Sequence, residues 1–212
     1  MNPLQTKKND SGVQFEPDLD FIPVEEHPLE PFLPSNARLL MLGSFQPQKK
    51  RWSIDFFYPN LINDMWRIMG YLFFKDKNYF VDLEGKRFRK ELIVDFLNEK
   101  GIALYDTACA VRRLQDNASD KFLDVVEITD VGLLLRQIPQ CRAVVTTGQK
   151  ATDTLLEMFS IQEPSIGTFS DFIFEDRHMR LYRMPSSSRA YPMKLEKKAE
   201  FYGQMMKEIG LL

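Results

Sequence analysis

Leu39-Leu40-Met41-Leu42-Gly43-Ser44-Phe45-Gln46-Pro47 is the stretch whose reading decides the fold. Four apolar residues that stop at Gly-Ser show no alternation, the pattern of a strand covered on both faces and ended by a tight turn. Strands of that kind belong to parallel sheets, whose ligands bind outside the carboxyl ends, where a glycine lets backbone N–H groups come close. Gly-Ser alone is equally the mark of an ordinary strand-to-loop turn. The loop that follows narrows the choice. It carries Trp52, Phe56, Phe57 and Tyr58, then the amides Asn60 and Asn63 ahead of a helical pattern. Aromatic faces beside amides can stack a nucleobase and read its edge.

The same succession of buried run, polar loop and amphipathic stretch recurs along the chain. The pattern predicts strands over 38–42, 102–106 and 142–147. A fourth covers 179–184, either alone or in a hairpin with 169–174 about Glu175 to His178. Helices are expected over 64–74 (Asn63 as cap, Asp64 in its first turn), 87–100 (stopped by Gly101), 129–137 (capped by Thr129), 149–159 and 193–209. Residues 110–120 read as a polar surface loop with a turn at Asn117 to Asp120. The fold class that results is α/β: a three-layer α/β/α sandwich around a central, mainly parallel four-stranded sheet, with four loops gathered at one edge.

Residues 1–36 carry Pro3, Pro17, Pro23, Pro28, Pro31 and Pro34 and read as a flexible or extended N-terminal segment, disordered to about Val13. Residues 37–212 form the α/β domain. With 28 basic and 30 acidic residues the chain has no global field to attract a polyanion, so nucleic-acid contact would need a local patch such as Lys49-Lys50-Arg51. Cys109 and Cys141 are the only cysteines and His27 and His178 the only histidines, which supports neither a disulfide framework nor a zinc site. No apolar run approaches the ~18 residues of a membrane span, and the polar N-terminus lacks a signal-peptide core. A cytoplasmic monomer is expected. Lys194, Lys197, Lys198 and Lys207 read as a solvated helix face.

Several segments taken together resemble the uracil-DNA glycosylase superfamily, closest to its hypoxanthine-DNA and mismatch-specific branches. They are Leu-Gly-Ser-Phe at 42–45, Asn63-Asp64-Met65-Trp66, Gly-Ile-Ala-Leu-Tyr-Asp at 101–106, the Arg112-Arg113 to Asp120 loop, Val-Val-Thr-Thr-Gly-Gln-Lys-Ala at 144–151 and Pro-Ser-Ser-Ser at 185–188. The resemblance runs from about residue 27 to the C-terminus. It implies a monofunctional glycosylase that flips a deaminated base, hypoxanthine or uracil, out of DNA and hydrolyses its N-glycosidic bond, with no cofactor and no metal.

On that resemblance Gly43, Ser44 and Phe45 hold the base, with Phe45 or a downstream aromatic such as Phe57 or Tyr58 stacking on it. Asn63 contacts the base or places the water, and Asn63, Ser44 and Asp64 are the expected catalytic group. Pro185, Ser186, Ser187 and Ser188 grip the DNA backbone beside Lys49, Lys50 and Arg51, while Arg189 or Tyr191 fills the vacated stack. The expected partner is DNA containing a damaged or mispaired base. Asp55, Asp64 and Asp106 are the carboxylates that could activate water. Two features depart from the family pattern: Gln46 precedes Pro47, and Met184 stands where strong uracil excisers carry histidine, which implies weak uracil excision. Two other functions use the same sheet edge, a non-catalytic protein that binds DNA or damaged bases and a hydrolase of free nucleotides or nucleosides.

Overall fold

A computed structural model describes residues 19–115 and 120–212. Its strands are β1 (Val24–Glu26), β2 (Leu39–Gly43), β3 (Val81–Asp82), β4 (Arg87–Phe88), β5 (Ile102–Asp106), β6 (Ala108–Arg113), β7 (Leu123–Ile128), β8 (Ala143–Thr147), β9 (Phe169–Phe174) and β10 (Arg177–Met184). The helices are α1 (Met65–Phe74), α2 (Lys90–Lys100), α3 (Val131–Gln137), α4 (Gln149–Leu156) and α5 (Leu195–Glu208).

The central sheet has the order β5-β2-β8-β10-β9. Its first four strands are parallel, and β9 closes the edge antiparallel to β10. The expected parallel core is present, and the hairpin adds a fifth strand. Every residue of β2, β5 and β8 is buried, so both faces of the sheet are covered. That is why these three stretches read as largely apolar with no alternation in the sequence. The result is a mixed α/β fold, mostly parallel at its centre and flanked by helices.

A second sheet, β1-β6-β7, is antiparallel and occupies much of the segment that reads as a polar loop. Ala108, Ala110, Val111 and Leu123 are buried while Cys109, Arg112 and Arg113 are less so, and register shifts beside Ala110 break the alternation that would have marked a strand. The expected turn at Asn117 to Ser119 and the expected disorder up to Val13 lie outside the described residues.

The described part of the N-terminal segment, from residue 19 on, is built into the domain. β1 pairs with β6, Phe32 bridges to Leu104, and Glu25 takes both Nε and Nη2 of Arg113 at 3.1 and 3.0 Å. α4 starts at Gln149 as the sequence pattern indicates, and the other four helices start one to three residues later than expected. For α3 the cap is Asp130, whose carboxylate accepts from Leu133 N–H, and not Thr129.

Candidate functional site

The carboxyl ends of β2, β5, β8 and β10 open into one cavity of about 620 Å³. Its wall includes Gly43, Ser44, Phe45 and Gln46 after β2, Asp106 at the end of β5, Thr147 at the end of β8, and Ser186 to Ser188 after β10. The loop that leads to α1 supplies Tyr58, Asn60, Ile62 and Asn63. Parallel strands point all their carboxyl ends one way, so residues far apart in sequence meet here.

Gly43 has no side chain for a reason visible in the geometry. A Cβ there would collide with Asp106 Oδ1. Beyond it the N–H groups of Ser44 and Phe45 donate to no protein acceptor among the described residues. The Ser44 carbonyl accepts from Ala108 N–H at 3.2 Å, and the Gly43 carbonyl from Thr107 N–H at 2.9 Å. The loop is therefore fixed by its carbonyls and keeps its donors available.

Asn63 Oδ1 accepts from Met65 N–H at 2.9 Å, which ties down one end of the amide and leaves the Nδ2 donors unengaged in a residue of the cavity wall. Its backbone bridges to Ser188, while Asp64 N–H donates to Ser187 O at 2.8 Å and Arg189 N–H to Ile62 O at 3.2 Å. The loop before α1 and the loop after β10 are thus laced together by their main chains.

Asp64 does not line this cavity. It is buried, with Oδ1 accepting from Arg189 Nε at 2.8 Å and Oδ2 from Lys198 Nζ at 3.4 Å. Lys198 is fully buried and donates also to Ser188 O at 2.7 Å. Burial lowers the Lys198 ammonium from its ordinary range, and Asp64 pulls in the opposite direction. Two expectations change as a result: Asp64 lies outside the cavity wall and braces the two loops, and Lys198 is no solvated face, while Arg189, about half exposed, pairs with Asp64 through its Nε.

The adjacent aromatics part company. Phe57 is 2% exposed and packs edge-on against Phe56 with ring centroids 5.3 Å apart, so it belongs to the core and not to the base. Tyr58 has φ 48°, a left-handed conformation that costs a non-glycine residue roughly 1–2 kcal/mol. Its hydroxyl lies 3.2 Å from Thr147 Oγ1 in the cavity wall. Burial, with the charge of Asp106 adding to it, raises the phenol above its ordinary range, so it remains O–H.

Lys49, Lys50 and Arg51 form one 3-10 turn that is held near the rim by Trp52 Nε1 donating to Pro47 O at 2.6 Å. Lys49 pairs with Asp55 at 2.5 Å and lies 4.0 Å from the Trp52 ring centroid. Asp55 is thereby an exposed ion-pair partner. Pro185 is buried, its carbonyl accepting from Tyr202 O–H at 2.9 Å.

One residue that carried no functional signal in the sequence stands behind Asp106. His27, from the N-terminal segment, places Nε2 2.9 Å from Asp106 Oδ2, 79 residues away, and both side chains are almost fully buried. Gln46 Nε2 donates to the same oxygen at 2.8 Å. Asp120 joins the wall from the hairpin side. Burial raises its carboxyl from the ordinary range; the Ser44 hydroxyl lowers it, Asp106 adds to the rise, and Arg113 and Lys150 oppose it.

The architecture has a counterpart among solved structures. It is similar to the solution NMR structure of a protein from Methanosarcina acetivorans described as a putative uracil DNA glycosylase. The TM-score is 0.58 at 20% identity, over 88% of this chain and 99% of that one. The two chains share a fold. No family model matches the sequence, and no curated protein does.

Proposed function

We propose that this chain is a monofunctional DNA glycosylase that hydrolyses the N-glycosidic bond of a deaminated base. The observation that carries the reading is the convergence of unengaged N–H donors from Ser44, Phe45 and Asn63 on one cavity at the sheet edge, in a fold shared with the Methanosarcina acetivorans protein.

Cleavage of the glycosidic bond builds positive charge on the sugar and negative charge on the departing base. Preorganised N–H donors facing the base stabilise that charge as it develops, without reorganising. Ser44 and Phe45 N–H fit a base carbonyl. The Asn63 amide, anchored at one end by Met65 N–H, fits the base or the attacking water. Ser186 to Ser188, fixed to α1 by the Asp64 brace, offer hydroxyls and N–H groups to the backbone of the strand being read. Lys49 to Arg51 extend the phosphate contacts along the rim.

Asn63→Ala tests the assignment. Loss of a positioned amide donor should slow excision on the order of 10²-fold, while loss of the acceptor for Met65 N–H lowers the melting temperature by only a few degrees. A folded variant with undiminished excision would remove Asn63 from the chemistry.

A further inference from the structure

Beside those donors the cavity wall also presents acceptors. Asp106 has Oδ2 held by Gln46 Nε2 at 2.8 Å and faced by His27 Nε2 at 2.9 Å, while Oδ1 makes no protein hydrogen bond among the described residues and lies over Gly43. Gln46 must turn its Nε2 to the carboxylate, because the other orientation would set two acceptors face to face. That leaves Gln46 Oε1 buried with no partner among the described residues, in a side chain 4% exposed that lines the cavity. A buried unpaired acceptor is costly, and a ligand N–H would satisfy it. The nearby guanidinium of Arg113 is engaged by both oxygens of Glu25 and by Gln46 O, so it does not neutralise this wall by pairing with Asp106.

A base that fits both sets of groups has a carbonyl for the Ser44 and Phe45 N–H groups and two adjacent N–H donors for Asp106 Oδ1 and Gln46 Oε1. Hypoxanthine and uracil offer one N–H, whereas a 2-amino-6-oxopurine offers N1–H and N2–H beside O6. Charge then selects among bases that have this edge. Undamaged guanine would depart as an anion beside a carboxylate, which is unfavourable. A guanine alkylated at N7 is cationic before the bond breaks. Water adds to C1′, the electron pair of the C1′–N9 bond passes to the ring and cancels its charge, the base leaves neutral, and the proton of the water goes to solvent.

We propose that the Asp106–Gln46 wall gives this pocket a further activity, release of N7-alkylated guanine from DNA. The inference rests on the glycosylase reading above and adds a second substrate class to it.

The test uses duplexes carrying one 7-methylguanine, hypoxanthine or guanine at the same position, with the wild-type full chain, Asp106→Asn and Gln46→Leu. Base release is measured after subtracting spontaneous loss. Wild type should release 7-methylguanine faster than hypoxanthine and leave guanine in place. Asp106→Asn should lower the 7-methylguanine to hypoxanthine ratio by roughly a hundredfold to a thousandfold, the scale of removing one charge about 4–6 Å from a cation at an effective dielectric of about 20. Damage to the fold alone would lower both rates and leave the ratio unchanged. Gln46→Leu should lower the ratio too, and it decides the matter if Asp106→Asn does not fold. Hypoxanthine release with 7-methylguanine lost only at the spontaneous rate would overturn this inference and spare the glycosylase reading. If nothing is released, binding to a duplex with non-cleavable 2′-fluoro-7-methylguanosine decides: at least tenfold tighter binding than to the guanine duplex keeps the acceptor wall while the glycosylase reading fails, and equal binding ends both.

Discussion

Asp64→Asn probes the brace that joins the loop before α1 to the loop after β10. The substitution keeps volume and shape but removes the charge that faces Arg189 and Lys198. Arg189 is about half exposed and can turn to solvent, so its share is small. Lys198 is fully buried, and a buried charge that loses its counter-ion costs about 3–5 kcal/mol. The carbonyls of Ser188 at 2.7 Å and Ser187 at 3.4 Å still receive the ammonium, which puts the expected loss at about 3 kcal/mol, the lower end of that range. For a chain of this size that is a fall in melting temperature of about 6–12 °C, followed by circular dichroism.

The loss should depend on pH in one direction. Burial already lowers the Lys198 ammonium from its ordinary range, and removing Asp64 takes away the opposing pull, so it falls further. Between the folded value and the unfolded one the unfolded chain binds more protons, and stability there rises with pH. The Asp64→Asn deficit should therefore be larger at pH 6 than at pH 9.5. A variant that melts within about 2 °C of wild type at both pH values would refute the brace.

Gly43→Ala should push Asp106 off His27 and Gln46, because the new Cβ overlaps Oδ1; the expected cost is about 1–3 kcal/mol for the hydrogen bonds broken, with loss of lesion binding by fluorescence anisotropy. Phe57→Ala should destabilise the fold by about 3–5 kcal/mol as a core truncation, yet leave excision per folded molecule within a few-fold of wild type in a single-turnover assay. Asn63→Ala should show the reverse pattern, with stability nearly kept and excision lost.

The parts of the fold that were legible in the sequence are those set by local chemistry. Leu39 to Leu42, Ile102 to Asp106 and Ala143 to Thr147 are covered on both faces, and a largely apolar run with no alternation is what such burial requires. Gly43, Ser44, Phe45 and Asn63 fall on the cavity because loops after parallel strands gather at one edge. What was not legible depends on direction and distance. Phe57 and Tyr58 are neighbours of similar chemistry, yet only Tyr58 reaches the cavity wall while Phe57 is buried in the core. Asp64 and Lys198 look like a helix-start charge and a solvated lysine until the packing of α1 against α5 buries both. His27 stands in a proline-rich segment with no periodicity, and nothing near it in sequence points to Asp106.

Purified protein incubated with duplexes bearing one hypoxanthine, uracil or mispaired thymine, then treated with alkali and resolved on a denaturing gel, tests the central claim most directly. The account predicts strand cleavage at hypoxanthine or uracil, appearing only after alkali because the protein itself makes abasic sites and no nicks. Intact strands at every lesion under single-turnover conditions would contradict it.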